Sequence, residues 1–173
     1  MTELDQLKQQ WRDCIEHKGG HCPVCSRWGK IYKRQINNTM AESLMWLAKA
    51  RPKKANGEWI DIANDAPRWL VRSNQLSTLK WWGLVERQTI NVKNKTKFSG
   101  LWKVTDLGRK FACREVSVPR SVYTYNDEVE DFSQETIFIE QAFKGFFDYK
   151  DVMNHVLKKY EDDFNMDMFH DRT

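Results

Sequence analysis

The sequence predicts a mixed α+β fold made of helices of ordinary length and short antiparallel strands. Apolar residues recur at three- and four-residue steps in several segments, which is typical of amphipathic helices. Two alternating segments, residues 84–92 and 98–104, are joined by a polar turn at 93–97, as expected of a β-hairpin. Eight tryptophans and nine phenylalanines are enough for a hydrophobic core. These patterns predict three parts: an N-terminal helix and knuckle at 1–37, a central domain at 38–120 and an acidic α/β extension at 121–173.

The first part begins with a predicted helix over residues 3–17. Leu4, Leu7 and Trp11 recur on one face, and the glycine pair at positions 19 and 20 ends the helix. Positions 21–34 then read H-C-P-V-C-S-R-W-G-K-I-Y-K-R. The two cysteines predict a tight turn, and the alternation after them predicts a strand at 30–36.

The central part opens with a predicted helix and a short strand. Thr39, with Glu42 three residues later, forms a capping box before this helix. The helix places four residues on one apolar face: Met40, Leu44, Leu47 and Ala48. A basic loop at 51–56 and a strand at 59–62 are predicted to follow.

Two more helices are predicted before the hairpin and one after it. Asn64 or Asp65 caps a short helix with Pro67 in its first turn. Ser73 caps the next helix, residues 74–82, which Gly83 ends. A last helix starts at residue 105 and runs to residue 112. The acidic extension is expected to hold strands at 122–125 and 136–139, and a helix from residue 148 to about residue 160.

Two motifs in the central part resemble those of winged-helix repressors. Residues 76–85 read L-S-T-L-K-W-W-G-L-V, similar to the end of a recognition helix that turns into a wing. Residues 102–109 read W-K-V-T-D-L-G-R, similar to the far side of that wing. The resemblance covers about residues 38–114 and implies a winged helix-turn-helix core. The combination with the N-terminal cysteine segment is also similar to small uncharacterised bacteriophage proteins, a likeness that implies no activity.

The distribution of charge favours a polyanionic partner. Residues 1–120 hold 23 lysines and arginines and 11 aspartates and glutamates, a net charge of +12, whereas residues 121–173 have a net charge of −8. We therefore predict that the central domain binds nucleic acid, most readily duplex DNA. The outer arc of the recognition helix and the wing tip would contact bases and phosphates. The predicted contact residues are Arg34, Arg68, Arg72, Asn74, Ser77, Thr78, Trp81, Lys93, Lys95 and Lys97.

The acidic extension has two interpretations. It could cover the basic face until DNA displaces it, or pair with a second subunit in a homodimer. Alternatively, the acidic and basic segments are solvated and pair with each other, with no further role.

The cysteines predict a structural zinc site. A C-x-x-C turn directs both sulfurs towards one ion, and zinc takes four such ligands in a tetrahedron. Cys14 and His17 lie three residues apart on the first helix and would complete the set with Cys22 and Cys25. Two other residues compete for these positions: His21 and Cys113. Four protein ligands leave no open coordination position, so the predicted zinc is structural and not catalytic.

The sequence contains little that indicates other classes of function. No apolar run is long enough to span a bilayer, and the charged N-terminus lacks the apolar centre of a signal peptide, so a cytoplasmic protein is expected. Nucleotide-binding, hydrolase and metalloprotease motifs are absent, and no enzymatic activity is expected.

The alternative function is a protein-interaction module, such as a phage-type inhibitor that binds a host protein. Trp81 is predicted to be an exposed aromatic, and exposed aromatics are typical of protein interfaces. The extension adds three further aromatic residues that could contact a partner: Phe146, Phe147 and Tyr149.

Overall fold

The computed structural model describes residues 2–143 together with residues 148, 150 and 152. Among these residues the α-helices are α1 (Glu3–His17), α2 (Asn38–Lys49), α3 (Ile62–Asp65), α4 (Arg68–Ser73) and α5 (Asp106–Ala112). The strands are β1 (Gly20–His21), β2 (Trp28–Gly29), β3 (Tyr32–Gln35), β4 (Ile60–Asp61), β5 (Val85–Val92), β6 (Lys95–Val104), β7 (Val118–Pro119), β8 (Ser121–Tyr125), β9 (Glu128–Phe132) and β10 (Thr136–Ile137). Short 3₁₀ helices occupy Lys54–Asn56, Leu76–Trp82 and Ile139–Ala142. The predicted mixed α+β class with small antiparallel sheets is confirmed.

The chain divides into two compact units. Unit 1 comprises Met1–Gln35 and Pro119–Glu135, and unit 2 comprises Ile36–Val118 and Thr136–Thr173. The chain changes unit three times: the changes at 35/36 and 118/119 lie close to the predicted boundaries at 37/38 and 120/121, whereas the change at 135/136 falls inside the predicted extension. The sequence did not indicate that the N-terminal part and the start of the extension belong to one unit, in which β3 pairs with β8. The predicted helix from residue 148 to about residue 160 lies almost wholly outside the described residues.

Unit 1 consists of α1, a small hairpin and a three-stranded sheet. Helix α1 is capped by Thr2, whose hydroxyl accepts a hydrogen bond from the Asp5 N–H at 3.3 Å. Strands β1 and β2 pair antiparallel beside α1, and a separate sheet has the order β3-β8-β9. Trp11 of α1 contacts Tyr125 of β8 edge to face, with ring centres 6.2 Å apart. Strand β9 was not predicted, because three of its five residues are acidic and its apolar and polar residues alternate poorly.

The hydrophobic core of unit 2 surrounds α2. Every residue from 40 to 47 is buried, and α2 packs against α4, α5 and the 3₁₀ helix Leu76–Trp82. The predicted capping box at Thr39 is wrong, because Asn37 caps the helix by accepting the Met40 N–H at 2.9 Å. Glu42 is buried within the helix instead of closing its start.

The elements after α2 form the rest of unit 2. Strands β4, β6 and β5 make an antiparallel sheet with β6 in the centre. Helix α3, which the sequence did not predict, is capped by Asp61, whose carboxylate accepts the Asn64 N–H at 3.2 Å. The predicted cap of the following helix by Asn64 or Asp65 is wrong, because Pro67 is the N-cap residue of α4. Pro67 directly precedes α4. Short strand β10 pairs with β7, at the change from one unit to the other.

Candidate nucleic-acid interface

The structure differs from the predicted recognition helix both in the kind of helix and in the residue at which it begins. Asn74 adopts a left-handed conformation at the end of α4, with φ 50° and ψ 26°, so the predicted helix start at residue 74 is wrong. Ser73 is the last residue of α4 and does not cap a following helix. The segment Leu76–Trp82 is a 3₁₀ helix with three residues per turn. Its buried residues Leu76, Leu79 and Trp82 recur at steps of three and fit that period.

The outward side of this 3₁₀ helix is only partly available to a ligand. Ser77, Thr78 and Trp81 are half-buried, and Asn74 in the preceding turn is exposed. The Thr78 hydroxyl donates to the Gln75 carbonyl at 2.6 Å, and the Ser77 hydroxyl to the Asn74 carbonyl at 3.3 Å. Trp81 was predicted to be an exposed aromatic, and the structure shows it half-buried. Lys80, which sequence reasoning did not single out, is exposed, and its ammonium lies 5.6 Å from the centre of a Trp81 ring.

A groove in unit 2 brings two of the predicted residues next to the base of the β5–β6 hairpin. Asn74 and Ser77 line this groove together with Arg87, Gly100 and Trp102, and its volume is about 220 Å³. The Arg87 guanidinium lies between two aromatic rings, 5.1 Å from the centre of Phe98 and 5.5 Å from that of Trp102. Its Nε also donates to the Ser99 carbonyl at 2.8 Å. Arg87 is therefore a positioned cation at the groove, and sequence reasoning missed it.

The two motifs that resemble a winged helix contact each other at the base of the hairpin. The Thr105 hydroxyl donates to the Gly83 carbonyl at 2.6 Å and accepts the Gly108 N–H at 3.0 Å. The Thr105 N–H donates to the Leu84 carbonyl at 3.1 Å. Gly108 packs directly on that carbonyl, where a Cβ atom would clash with the backbone. This contact joins the end of the 3₁₀ helix to the start of α5 and fixes where the hairpin leaves the core.

The β5–β6 hairpin is exposed on both faces over most of its length. All residues from 89 to 98 are exposed, and the tip is a two-residue turn, Lys93–Asn94, with φ 49° and 59°. Ile90 opposes Lys97, and Val92 opposes Lys95, so these four side chains share one face. Thr96, on the other face, donates its hydroxyl to Asn91 Oδ1 at 3.2 Å.

The hairpin also carries a concentrated positive charge. Residues 87–103 contain five lysines and arginines and no aspartate or glutamate. Lys103, at the base, pairs with Glu86 at 3.6 Å and Glu58 at 3.9 Å. Within the described part of the chain, no carboxylate forms an ion pair with the predicted phosphate contacts Lys93, Lys95 and Lys97.

The predicted arginines fall into different places. Arg68 and Arg72 are exposed, four residues apart on the short helix α4 of unit 2. Arg34 is exposed in β3 of unit 1, whereas the other nine predicted contact residues belong to unit 2. The structure therefore does not place the ten residues in a single unit.

The Cys22–Cys25 turn has part of the chemistry that a zinc site needs. Backbone N–H groups of Cys25 and Val24 donate to the Cys22 sulfur and hold the pKa of that thiol below its ordinary value. The turn is closed by a hydrogen bond from the Ser26 N–H to the Cys22 carbonyl at 2.8 Å. These two sulfurs thus fit a metal as a pair.

The remaining ligands of the predicted zinc site are not assembled around this pair. The Cys14 thiol donates to the Gly19 carbonyl at 3.2 Å, and His17 Nδ1 lies 3.0 Å from the Asp13 carbonyl. His21 Nδ1 lies 2.9 Å from the Ser26 carbonyl, and Cys113 belongs to unit 2. In the part of the chain that the structure covers, no three His, Cys, Asp or Glu side chains are grouped as a metal centre would require. The four-ligand zinc set stays a prediction.

Comparisons of the chain with protein-family models, curated proteins and solved structures found no match. Among the described helices, none combines the length and the apolar composition needed to cross a membrane.

Proposed function

We propose that unit 2 is a winged-helix domain that binds duplex DNA through the β5–β6 hairpin and the groove beside it. The observation that carries this proposal is the hairpin, which is exposed on both faces and holds five cations without a carboxylate in residues 87–103. The order of helices and strands, the β4-β6-β5 sheet and the contact between the two motifs support the winged-helix assignment.

The hairpin suits a duplex for geometric and electrostatic reasons. A two-stranded β-ribbon fits the major groove of B-DNA, and lysines along it can reach the phosphates of both strands. Lys93, Lys95 and Lys97 would supply most of the affinity. The amide of Asn91 and the guanidinium of Arg87 are donors that can reach base edges. In this proposal the short 3₁₀ helix has a smaller role than in a typical recognition helix, since its hydroxyls donate to its own backbone.

A titration of full-length protein against a labelled duplex tests the proposal. The variant K93Q/K95Q/K97Q should bind at least tenfold more weakly at low salt. Its slope of log K against log salt should be smaller by about 2.7, because each phosphate contact contributes about 0.9. The matched control is K49Q/K54Q/K110Q, which removes three exposed lysines of the same unit outside the hairpin. Absence of duplex binding by the wild type at low salt, or equal losses in both variants, would reject the proposal.

Zinc and a regulatory extension are the other parts of the proposal. Cys22 and Cys25 would hold zinc together with Cys14 and His17, and the ion would fix the β1–β2 turn. The negative charge that could mask the basic face is distributed unevenly along the extension. Residues 121–143 carry a net charge of −6, and residues 144–173 carry only −2. A truncation after residue 120 would also remove β8, the central strand of the unit 1 sheet. A chain ending at residue 143 keeps that sheet and removes only residues 144–173, so tighter duplex binding by it would support masking by this last part of the extension.

A protein partner is the second candidate function. Ile90 and Phe98 are exposed on opposite faces of the hairpin, and the Phe98 side chain is 65% exposed. Such apolar groups on a ribbon are common in protein interfaces. A partner recovered in a fixed ratio and lost with Phe98→Ser, while the triple lysine variant still binds it, would favour this candidate. The aromatic residues Phe146, Phe147 and Tyr149 lie outside the described residues.

A further inference from the structure

Unit 1 contains a second basic segment that the duplex-binding proposal does not use. Residues 17–35 include five lysines and arginines and no aspartate or glutamate. Strand β3 lies within this segment, and all four of its residues are exposed. In its sheet, β3 pairs with β8 on one side and forms an edge. The segment is therefore an accessible cationic strand with backbone groups along one open side.

Aromatic rings are placed among these cations. Tyr32 is 47% exposed, and both the Lys30 ammonium and the Arg34 guanidinium lie 5.8 Å from its ring centre. On the opposite face of the strand, the Lys33 ammonium lies 5.8 Å from the centre of the Tyr123 ring. Trp28, in the preceding hairpin, is 51% exposed. Large rings are thus left open to solvent at the places where the positive charge is concentrated.

This combination points to one class of ligand. Proteins that bind single-stranded nucleic acid without sequence preference pair a cationic surface with aromatic side chains on which bases stack. A duplex keeps its bases stacked inside the helix and offers no free base face to Tyr32. An acidic peptide would satisfy the cations but has no comparable use for the exposed rings.

We propose that unit 1 binds single-stranded nucleic acid along β3, with a base stacked on Tyr32 and phosphates held by Lys30 and Lys33. Arg34 contributes a further cation beside the same ring. This site is independent of the duplex contacts of unit 2, and each proposal can fail without the other.

The test compares a labelled oligothymidylate of about 16 nucleotides, the upper end of known site sizes, with a duplex of the same length. Full-length wild-type protein should bind the single strand with a log–log salt slope of about −2, as expected of three phosphate contacts. Tyr32→Leu should weaken single-strand binding about tenfold, because it removes the ring on which a base would stack. Duplex affinity should remain unchanged. Tyr32→Trp should retain single-strand affinity.

Two controls separate stacking from charge and from loss of fold. Phe132→Leu removes a ring that is 39% exposed in the acidic strand β9 of the same sheet, and it should not change single-strand binding. The K93Q/K95Q/K97Q variant should keep single-strand affinity while it loses duplex affinity. Circular dichroism and thermal unfolding check that each variant is folded. The proposal is overturned if the wild type does not bind the single strand at low salt, or if Tyr32→Leu binds like the wild type. It is equally overturned if Phe132→Leu or the triple lysine variant loses as much single-strand affinity as Tyr32→Leu.

Discussion

Residues 17–35 of unit 1 and residues 87–103 of unit 2 carry the same charge in different structural settings. Each segment has five lysines and arginines and no acidic residue. In unit 2 the three lysines near the hairpin tip, Lys93, Lys95 and Lys97, lie beside aliphatic and small polar side chains, and only the two cations at the base, Arg87 and Lys103, lie next to aromatic rings. In unit 1 they lie next to the rings of Tyr32 and Tyr123.

The difference shows why charge alone does not identify a ligand. Phosphate attracts both segments, since the Coulomb term depends on charge and distance. What distinguishes them is the neighbouring surface. A narrow ribbon can enter a groove, whereas an edge strand with open rings can stack unpaired bases. We therefore assign a duplex to the first and a single strand to the second.

The two segments should also differ in what stabilises them. Removal of zinc from unit 1 should have the largest effect of the changes considered. We expect one zinc per chain by elemental analysis, and its loss in Cys22→Ser or on chelation. A structural zinc site contributes folding free energy directly, so hydrogen exchange in residues 17–35 should increase strongly. Residues 85–104 should keep their protection, because backbone pairing and Gly108 packing hold that hairpin.

The matched control for the zinc experiment is Cys113→Ser, which alters a cysteine of unit 2. It should retain the full zinc content. Cys14→Ser and His17→Ala should each lower zinc affinity if the predicted set is right, whereas losses with Cys14→Ser and His21→Ala but not with His17→Ala would assign the fourth position to His21. Protein without zinc and with the same exchange pattern as the wild type would contradict the metal prediction.

Gly108→Ala should destabilise unit 2 and leave the β3 segment of unit 1 unaffected. Its new Cβ would clash with the Leu84 carbonyl, and backbone atoms cannot move aside at low cost. We expect the free energy of unfolding to fall by about 3 kcal/mol, measured by urea denaturation. Hydrogen exchange should increase in β5 and β6 but not in β3. Gly100→Ala is the control, because an added Cβ there meets nothing within 4 Å. Equal destabilisation by both variants would contradict the packing argument.

Sequence reasoning succeeded where local pattern and tertiary contacts agree. The bounds of α1 and the approximate position of the β5–β6 hairpin were predictable from periodicity and caps. The 3₁₀ form of Leu76–Trp82 was not, because apolar residues three apart fit an α-helical face almost as well. Likewise, Asn37 and Thr39 are both good N-caps, and only the packed structure decides between them.

The candidate sites were only partly predictable, because site residues meet through the fold. The Lys93, Lys95 and Lys97 cluster is local and was found from the sequence. Arg87 was missed because its position between Phe98 and Trp102 depends on cross-strand pairing. The arrangement of Lys33 beside Tyr123 joins residues 90 positions apart, and no short-range pattern indicates it.

Thr105→Ala should have a smaller effect than Gly108→Ala, again in unit 2. The variant loses the α5 cap to Gly108 and the hydrogen bond to the Gly83 carbonyl, and the second of these joins the two motifs. We expect a loss of about 2 kcal/mol in the free energy of unfolding, the upper end of measured cap effects. Thr105→Ser keeps the hydroxyl and should recover most of this loss. If the alanine and serine variants have the same stability, the hydroxyl does not stabilise the junction.

The smallest expected effect is that of Thr2→Ala at the exposed start of unit 1. Hydrogen bonds from the Thr2 hydroxyl and N–H to the Asp5 carboxylate lower the pKa of Asp5 below its ordinary 3.8. A lowered folded-state pKa adds stability that is present above the ordinary pKa and is lost as the pH falls through the lowered one. Thr2→Ala should therefore reduce the melting temperature less than Thr105→Ala at neutral pH, and the difference from the wild type should shrink as the solution becomes more acidic than pH 3.8. Thr105→Ala should show no such convergence, because its cap lacks a titrating partner. A Thr2→Ala difference that stays constant across this pH range would show that Asp5 does not act through the cap.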